Sequence, residues 1–347
     1  MKKILIFIIS TLLTIGCNKT IEQNSKKFNI NTFNFIKVGD NIKDIIIKEH
    51  YAYPFLHIID NYLLLLNFKN FEKGIYLYDK NTFELIANTG YRGRGPGEIT
   101  NLGNIAYNDK TRDLWVGDYS KRVRWRFPLD SILTNSYFKP DSSLIIDYDL
   151  FLDRYHFLND SIALGKAVHA INHNTAEMLM AKLNIKNNHT VRHGYEHPKA
   201  DGNKSNSYFS LSHKDSIYIN AYAFCDLLTI CHINGELKSN IYGPKWNNKS
   251  RRKHSFFQQV DIIDDFILAS YIGEETFIHE KNRRPRSNFP SKILIFSKSG
   301  EHLKTIDVEY KFSQFCIDKV NKRVICYFED RDNPFGFFDL TPILYDN

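Results

Sequence analysis

Sulfur-bearing residues and proline are scarce in this chain, with 5 Cys, 3 Met and 10 Pro among 347 residues. Five cysteines over such a length exclude the dense disulfide framework of a small secreted domain. No repeated Cys-x-x-Cys or paired His accompanies them, so a structural zinc site has no basis. Neither sign of charge dominates: 46 Lys plus Arg face 39 Asp plus Glu, and a net +7 is too dilute to predict nucleic-acid binding. No Pro/Gly-rich linker or break in composition divides the chain, and helical periodicity is almost absent. Past the N-terminus no run approaches the ~18 apolar residues that span a bilayer. Aromatics, by contrast, are abundant, with 20 Tyr and 26 Phe, and with many Ile, Val and Thr they favour pleated, half-buried strands.

The first residues read as an address. Met1-Lys2-Lys3 is a short basic start, residues 4–15 are weakly polar to apolar, and Gly16-Cys17 follows. Twelve residues of helix reach about 18 Å against a hydrocarbon core of roughly 30 Å, so this is an export signal and not a spanning helix. Thr14-Ile15-Gly16-Cys17 resembles the lipobox of bacterial lipoproteins, with Thr14 where the pattern usually has Leu. The resemblance implies a signal peptide over residues 1–16, a diacylglycerol on Cys17 and a polar, flexible tether over residues 17–31. The body, residues 32–347, is then held in the cell envelope by lipid, at the outer membrane, on its periplasmic or its surface side. Four cysteines remain in it. Cys316 and Cys326 flank a hairpin turn at residues 319–322, and a register with Asp318 opposite Arg323 sets Cys316 against Ile325, which disfavours a disulfide. Buried thiols are expected there and at Cys225 and Cys231.

Short apolar or alternating runs recur along the body, separated by Asp, Asn, Gly and Lys clusters that mark turns. Residues 56–60, 62–68, 74–79 and 83–88 read as four strands of one antiparallel meander. The scheme repeats over 104–133, 151–194, 208–243, 256–308 and 312–340, which makes six units of about 55 residues, near the length of four-stranded blade repeats. Gly74-Ile75-Tyr76-Leu77-Tyr78-Asp79 matches Lys292-Ile293-Leu294-Ile295-Phe296-Ser297 by type, as third strands of blades one and five. The expected fold is all-β, a six-bladed β-propeller of four-stranded antiparallel blades, because a single blade leaves an apolar face bare and radial stacking buries both. Residues 32–50 are available to complete the short last blade and close the ring. A pair of β-sandwiches is the rival architecture.

Between the first two units lies Gly90-Tyr91-Arg92-Gly93-Arg94-Gly95-Pro96-Gly97-Glu98. It lacks the Gly-Lys-Ser/Thr of a P-loop, and Glu98 stands where a dinucleotide fingerprint needs its third Gly. Gly93, Gly95, Pro96 and Gly97 instead build a rigid crossing loop. Gly93-Arg94-Gly95-Pro96-Gly97-Glu98 resembles the Gly-x-Gly-Pro-Gly-Glu signature of TolB-like six-bladed β-propeller lipoproteins of Gram-negative bacteria. Asp118-Tyr119-Ser120-Lys121-Arg122-Val123 is similar to the Asp-turn-Arg-Ile step of NHL-type blades, one residue shorter. The resemblance is sharp over residues 74–127 and implies an exported, lipid-anchored propeller without assigning an activity.

Candidate ligand-binding residues at the mouth of the channel are Arg92, Arg94, Glu98, Asp118 and Arg122; an architectural turn with a salt bridge is the alternative role. Arg122, Arg124 and Arg126 alternate on one strand face, read as a solvated outer strand. Arg251-Arg252-Lys253 and residues 281–286 are basic loop tips suited to polyanionic glycan or lipid headgroups. His189, His193 and His197 are four apart, but four strand residues span about 13 Å, too far for one metal. Asp60, Asp160, Asp215 and Asp318 sit at turns, where turn chemistry accounts for them. No His-Glu-x-x-His or Gly-x-Ser-x-Gly motif occurs, so no catalytic residue is assigned. No metal or cofactor is expected, calcium alone staying open. Two functions remain: a monomeric, non-catalytic binding or scaffold module for an envelope protein, glycan or small ligand, or a hydrolase or lyase with its site in the central channel.

Overall fold

The stretch Ile75-Tyr76-Leu77-Tyr78 is apolar at every position, so a strand here must be buried on both faces. In the computed structural model, which describes residues 25–30, 34–172, 174–200, 205–246, 253–281 and 283–345, this is how it lies. Ile75 and Leu77 pack with Leu102, Leu114 and Val116 on one side. Tyr76 and Tyr78 pack with Ile325, Tyr327 and Phe335 on the other.

Three short strands open the described chain: β1 (Ser25–Lys27), β2 (Phe35–Lys37) and β3 (Lys43–Asp44). Six sheets follow in chain order. Blade one is β4 (Phe55–Ile59), β5 (Tyr62–Leu66), β6 (Lys73–Asp79) and β7 (Leu85–Tyr91). Blade two is β8 (Leu102–Asn108), β9 (Asp113–Asp118), β10 (Val123–Pro128) and β11 (Ser143–Ile145), with helix α1 (Leu129–Thr134) before its last strand. Blade three is β12 (Leu150–Phe157), β13 (Ile162–Asn172), β14 (Thr175–Asn184) and β15 (His189–Arg192). Blade four is β16 (Ser207–Ser212), β17 (Ile217–Tyr222), β18 (Leu227–His232) and β19 (Leu237–Tyr242). Blade five starts with β20 (His254–Ile263) and β21 (Phe266–Glu275), makes a small extra hairpin of β22 (Phe277–Ile278) and β23 (Arg286–Ser287), and returns through β24 (Lys292–Ser297) and β25 (His302–Asp307). Blade six is β26 (Phe312–Asp318), β27 (Arg323–Phe328) and β28 (Phe335–Asp339), before a terminal helix α2 (Thr341–Leu344).

The ring closes as the apolar residues before the first unit suggest. Strand β3 pairs antiparallel with β28, Lys43 opposite Phe337 and Asp44 opposite Gly336, and supplies the fourth strand of blade six. The N-terminal segment does more than close the ring. β1 adds in parallel to the outer edge of blade four, Ser25 opposite Asn240, and β2 adds in parallel to blade five, Phe35 opposite Thr305. The polar stretch expected to be tether through residue 31 is therefore part of the fold at Ser25–Lys27. Backbone pairing with an open sheet edge needs no apolar side chain, which is why composition hid it. Phe28, just after it, is buried edge-to-face against Tyr271 and Phe296. The signal segment, Cys17 and residues 18–24 and 31 of the expected tether lie outside the described residues.

Two local readings are refined. The last strand of blade one begins at Leu85, two residues late, because Phe83 adopts a left-handed turn conformation with φ 59°. The hairpin of blade six has the expected register, Asp318 opposite Arg323 and Cys316 opposite Ile325, and all four cysteines of the body are buried thiols.

The first strand of every blade starts on the face where the chain crosses between blades, here the crossing face, and ends on the opposite face, here the turn face. On the turn face the turn carboxylates bind across blade boundaries. Asp60 pairs with Arg112, Asp215 with Lys298 at 2.6 Å, Asp261 with Lys319 at 3.3 Å and Asp318 with Lys80 at 3.6 Å.

Candidate functional site

The six first strands enclose a cavity of about 600 Å³ along the ring axis, a volume within the range of small-ligand sites. Its wall draws on the interruptions in otherwise apolar strands: His57 between Leu56 and Ile58, His156 between Tyr155 and Phe157, and Gln258-Gln259 between Phe257 and Val260. Towards the crossing face stand Phe55, Asn104, Arg154, Tyr208, Gln258 and Gln314; towards the turn face stand Asp60, Asp261, Asp318 and Lys319.

Most of the charge in this cavity is already matched. Asp261 accepts from Ser210 Oγ at 3.2 Å and pairs with Lys319. Asp318 is fully buried between Lys80 and Arg323, 3.0 Å from the latter. The Arg154 guanidinium lies over the Tyr208 ring, 4.7 Å from its centre, donates to the Ser207 carbonyl at 2.9 Å and pairs with Asp153 at 3.4 Å. Gln259 is spent on the backbone of Phe315, accepting from its N–H at 2.9 Å. The neighbouring Gln258 leaves its amide oxygen without a protein partner. Enclosure lowers the His57 pKa to about 4, first by desolvation and then by repulsion from His156. His156 is also lowered, again chiefly by desolvation, although its side of the ring opens onto the cavity, where water tempers that cost. Both imidazoles are neutral at pH 7, each with one ring N–H to donate and one ring nitrogen to accept.

None of the five residues expected at the channel mouth lines this cavity. The structure does bring them together, as an interlocked turn between blades one and two. Asp118 accepts the backbone N–H of Thr100 at 2.7 Å and of Asn101 at 3.0 Å. Glu98 accepts from the Gly95 N–H at 2.9 Å and pairs with Lys139 at 2.8 Å, and Lys121 donates to the Gly95 and Glu98 carbonyls. Gly97 has φ 66°, and a Cβ there would meet the Pro140 carbonyl oxygen at 2.6 Å, so no larger residue fits. Arg92 reaches the Thr100 carbonyl, Arg122 donates to the Ile146 carbonyl and stacks on Tyr148, and Arg94 is exposed.

The strand bearing Arg122, Arg124 and Arg126 is not a solvated outer strand. β11 covers β10, and Arg124 is buried, donating to the Leu152 carbonyl of blade three at 2.8 Å. Arg126 pairs with Asp113 at 3.0 Å. Of the three, Arg124 packs against the next blade, while Arg126 stays exposed and pairs within its own blade. The histidines also separate: His193 bonds the Ile233 carbonyl at 2.8 Å, His197 the Tyr242 hydroxyl at 2.9 Å, and His189 is exposed. Among the described residues no three His, Cys, Asp or Glu form a metal-binding group, and no helix is long and apolar enough to cross a membrane.

No family model matches the chain, and no curated protein matches its sequence. Solved structures do share its fold. It is similar to a member of the DUF4221 family from Bacteroides vulgatus, with 10% identity over 87% of this chain and 98% of that one and a TM-score of 0.62. A luciferin-regenerating enzyme aligns with 8% identity over 85% of this chain and 94% of its own, TM-score 0.54. A Bacteroides fragilis protein named as exported aligns with 10% identity over 90% and 98%, TM-score 0.50. Identities this low establish an all-β propeller and nothing about chemistry.

Proposed function

We propose that this propeller is an exported, lipid-anchored binding module whose axial cavity takes a neutral, polyhydroxylated ligand, a saccharide of the cell envelope. The observation that carries this is the composition of the cavity wall: side-chain amides and neutral imidazoles that hydrogen-bond, the aromatic rings of Phe55 and Tyr208, the latter with Arg154 over one face, and carboxylates already paired with cations. Sugars present hydroxyls and apolar C–H faces together, and such a wall matches both. The Gly-x-Gly-Pro-Gly-Glu turn and the Gly16-Cys17 step support the envelope address, with Cys17 as the lipidated residue and an anchored monomeric disc as the working form.

Calorimetric titration of the Cys17→Ala chain with neutral oligosaccharides tests the ligand. Binding that Tyr208→Ala and Gln258→Ala each weaken about tenfold is expected; binding indifferent to both refutes the cavity. Fatty-acid labelling of the wild type that persists in Cys17→Ala refutes the anchor. A second reading, hydrolase or lyase chemistry, rests on His57, His156 and Asp261 sharing one cavity. Product release from the same oligosaccharides, lost in His156→Ala and tested with and without calcium, would favour it.

A further inference from the structure

Basic residues flanking the two ends of the β20–β21 hairpin meet on the crossing face of blade five. Strand β21 ends beside the start of β20, where the Thr276 N–H donates to the Lys253 carbonyl at 2.8 Å and Ser255 Oγ lies 3.0 Å from Thr276 Oγ1. The β22–β23 hairpin then carries Lys281, Arg283, Arg284 and Arg286, all exposed, beside exposed Lys253. Against these five cations stand Glu274, Glu275 and Glu280. Glu280 pairs with both Arg283 at 3.0 Å and Arg286 at 2.8 Å, which braces the hairpin and leaves Lys281 and Arg284 facing solvent. In the chain, Lys249, Arg251 and Arg252 immediately precede Lys253. Phe277, at the hairpin base, is 49% exposed.

The hairpin is joined to the cavity mouth. Phe289, on its return strand side, stacks on Tyr53 with ring centres 6.3 Å apart, and Tyr53 enters the strand whose Phe55 lines the cavity. Arg154, within the cavity, adds a further guanidinium towards the same face. The chain enters the fold from the other side: β1 runs parallel to β19, from the turn face towards the crossing face, on the edge of blade four. Eight residue steps separate Cys17 from Ser25, a reach of at most about 28 Å. An anchor on Cys17 would thus join the body from the turn-face side of blade four, opposite the face that carries the basic corner.

We infer that the blade-five hairpin and Lys253 form a docking surface for the acid groups of an anionic glycan, so that the preferred ligand is an acidic polysaccharide whose hydroxyls and ring faces also engage the axial cavity. This rests on the saccharide reading of the cavity for the second contact and on charge complementarity for the first. Exposed cations that are not consumed by internal pairs attract a polyanion over a Debye length, and the attraction falls with salt.

The test is direct binding of oligogalacturonate and of a neutral maltooligosaccharide to the Cys17→Ala chain, with phosphatidylglycerol vesicles as a third probe. Oligogalacturonate is expected to bind about tenfold more tightly than the neutral glucan at low salt and to lose that advantage near 0.3 M salt. Lys281→Glu with Arg284→Glu, two exposed positions, removes the advantage and leaves neutral binding and thermal unfolding unchanged. If the double variant binds oligogalacturonate as the wild type does, the inference is overturned; it is equally overturned if vesicles engage the hairpin as strongly as the soluble polyanion. Tyr208→Ala separates the two readings. Weakening of both sugars supports cavity and hairpin together, whereas a silent Tyr208→Ala alongside an effective double reversal upholds the hairpin and removes the cavity.

Discussion

Two boundaries of the ring differ sharply in what holds them. Between blades five and six, Leu268, Ile293 and Ile295 meet Phe315, Val324, Phe328 and Phe338, all at most 1% exposed. Between blades three and four, Lys166, Asn220, Thr229 and Asn240 are fully buried, flanked by Tyr218 and Tyr222. The Lys166 ammonium pairs with Glu196 at 3.2 Å, and Asn240 donates to the Tyr195 hydroxyl at 3.2 Å. Both amide atoms of Asn220, the Thr229 hydroxyl and the Tyr222 hydroxyl have no hydrogen-bond partner within the protein. Blade six is assembled from both ends of the chain, so its cohesion decides whether the ring stays closed, and hydrocarbon burial there is non-directional and strong. Both boundaries join blades that follow one another in the chain, but blade four takes its four antiparallel strands from the single stretch 207–242, and its boundary with blade three tolerates a polar, incompletely satisfied interior.

The comparison can be broken by substitution. Phe315→Ala should cost about 3–5 kcal/mol in chemical denaturation, since it empties a fully buried site in the hydrocarbon boundary; a loss below about 1 kcal/mol would show that this boundary is not the stronger one. Asp226, buried at the far side of blade four, extends the polar character to the next boundary through the Tyr271 hydroxyl, 3.1 Å away. Burial raises its pKa from 3.8 to about 6, against the pull of the Lys245 N–H and the Tyr271 hydroxyl. Because the folded pKa exceeds the unfolded one, this group's contribution is fully present below about pH 4 and is lost as pH rises through 6, a decline of about 3 kcal/mol. Asp226→Asn should remove that slope from the stability–pH curve.

Smaller effects sharpen the contrast. Glu196→Gln should destabilise by about 2 kcal/mol, because it strands the buried Lys166 ammonium, while Lys166→Met, which removes the charge itself, should be neutral or stabilising. Equal losses for both would mean that the pair is a true source of stability. Thr229→Val should change stability by less than about 1 kcal/mol, with a gain more in keeping than a loss, because it replaces an unsatisfied hydroxyl by a methyl of similar size. The same denaturation series reads all of these variants.

Most of the architecture is legible in the sequence, and the candidate site is not. The repeated runs such as Ile75-Tyr76-Leu77-Tyr78 demand burial on both faces, and six of them in a chain without a linker imply radial stacking. The apolar residues before the first unit pointed to closure, realised by Lys43–Asp44 against blade six. The Gly93–Glu98 turn was also conspicuous, because Gly and Pro announce demanding backbone geometry; its charges serve that geometry and not the cavity. His57, His156 and Gln258 carried only a faint signal, a polar residue interrupting an apolar strand. Nothing local distinguishes such a residue from one facing a neighbouring blade, which is where Arg124 lies.

The order of residues, taken alone, determined the strands, their grouping in six and the turn between blades one and two, because each follows from period-two burial and from backbone restrictions acting over a few residues. Tertiary structure decided which polar groups look into the axial cavity, which basic loops share the crossing face, and that Ser25–Lys27 joins blade four. Those outcomes depend on the angle of each strand about a common axis and on backbone edges that accept any side chain. Both properties arise only once the ring has closed.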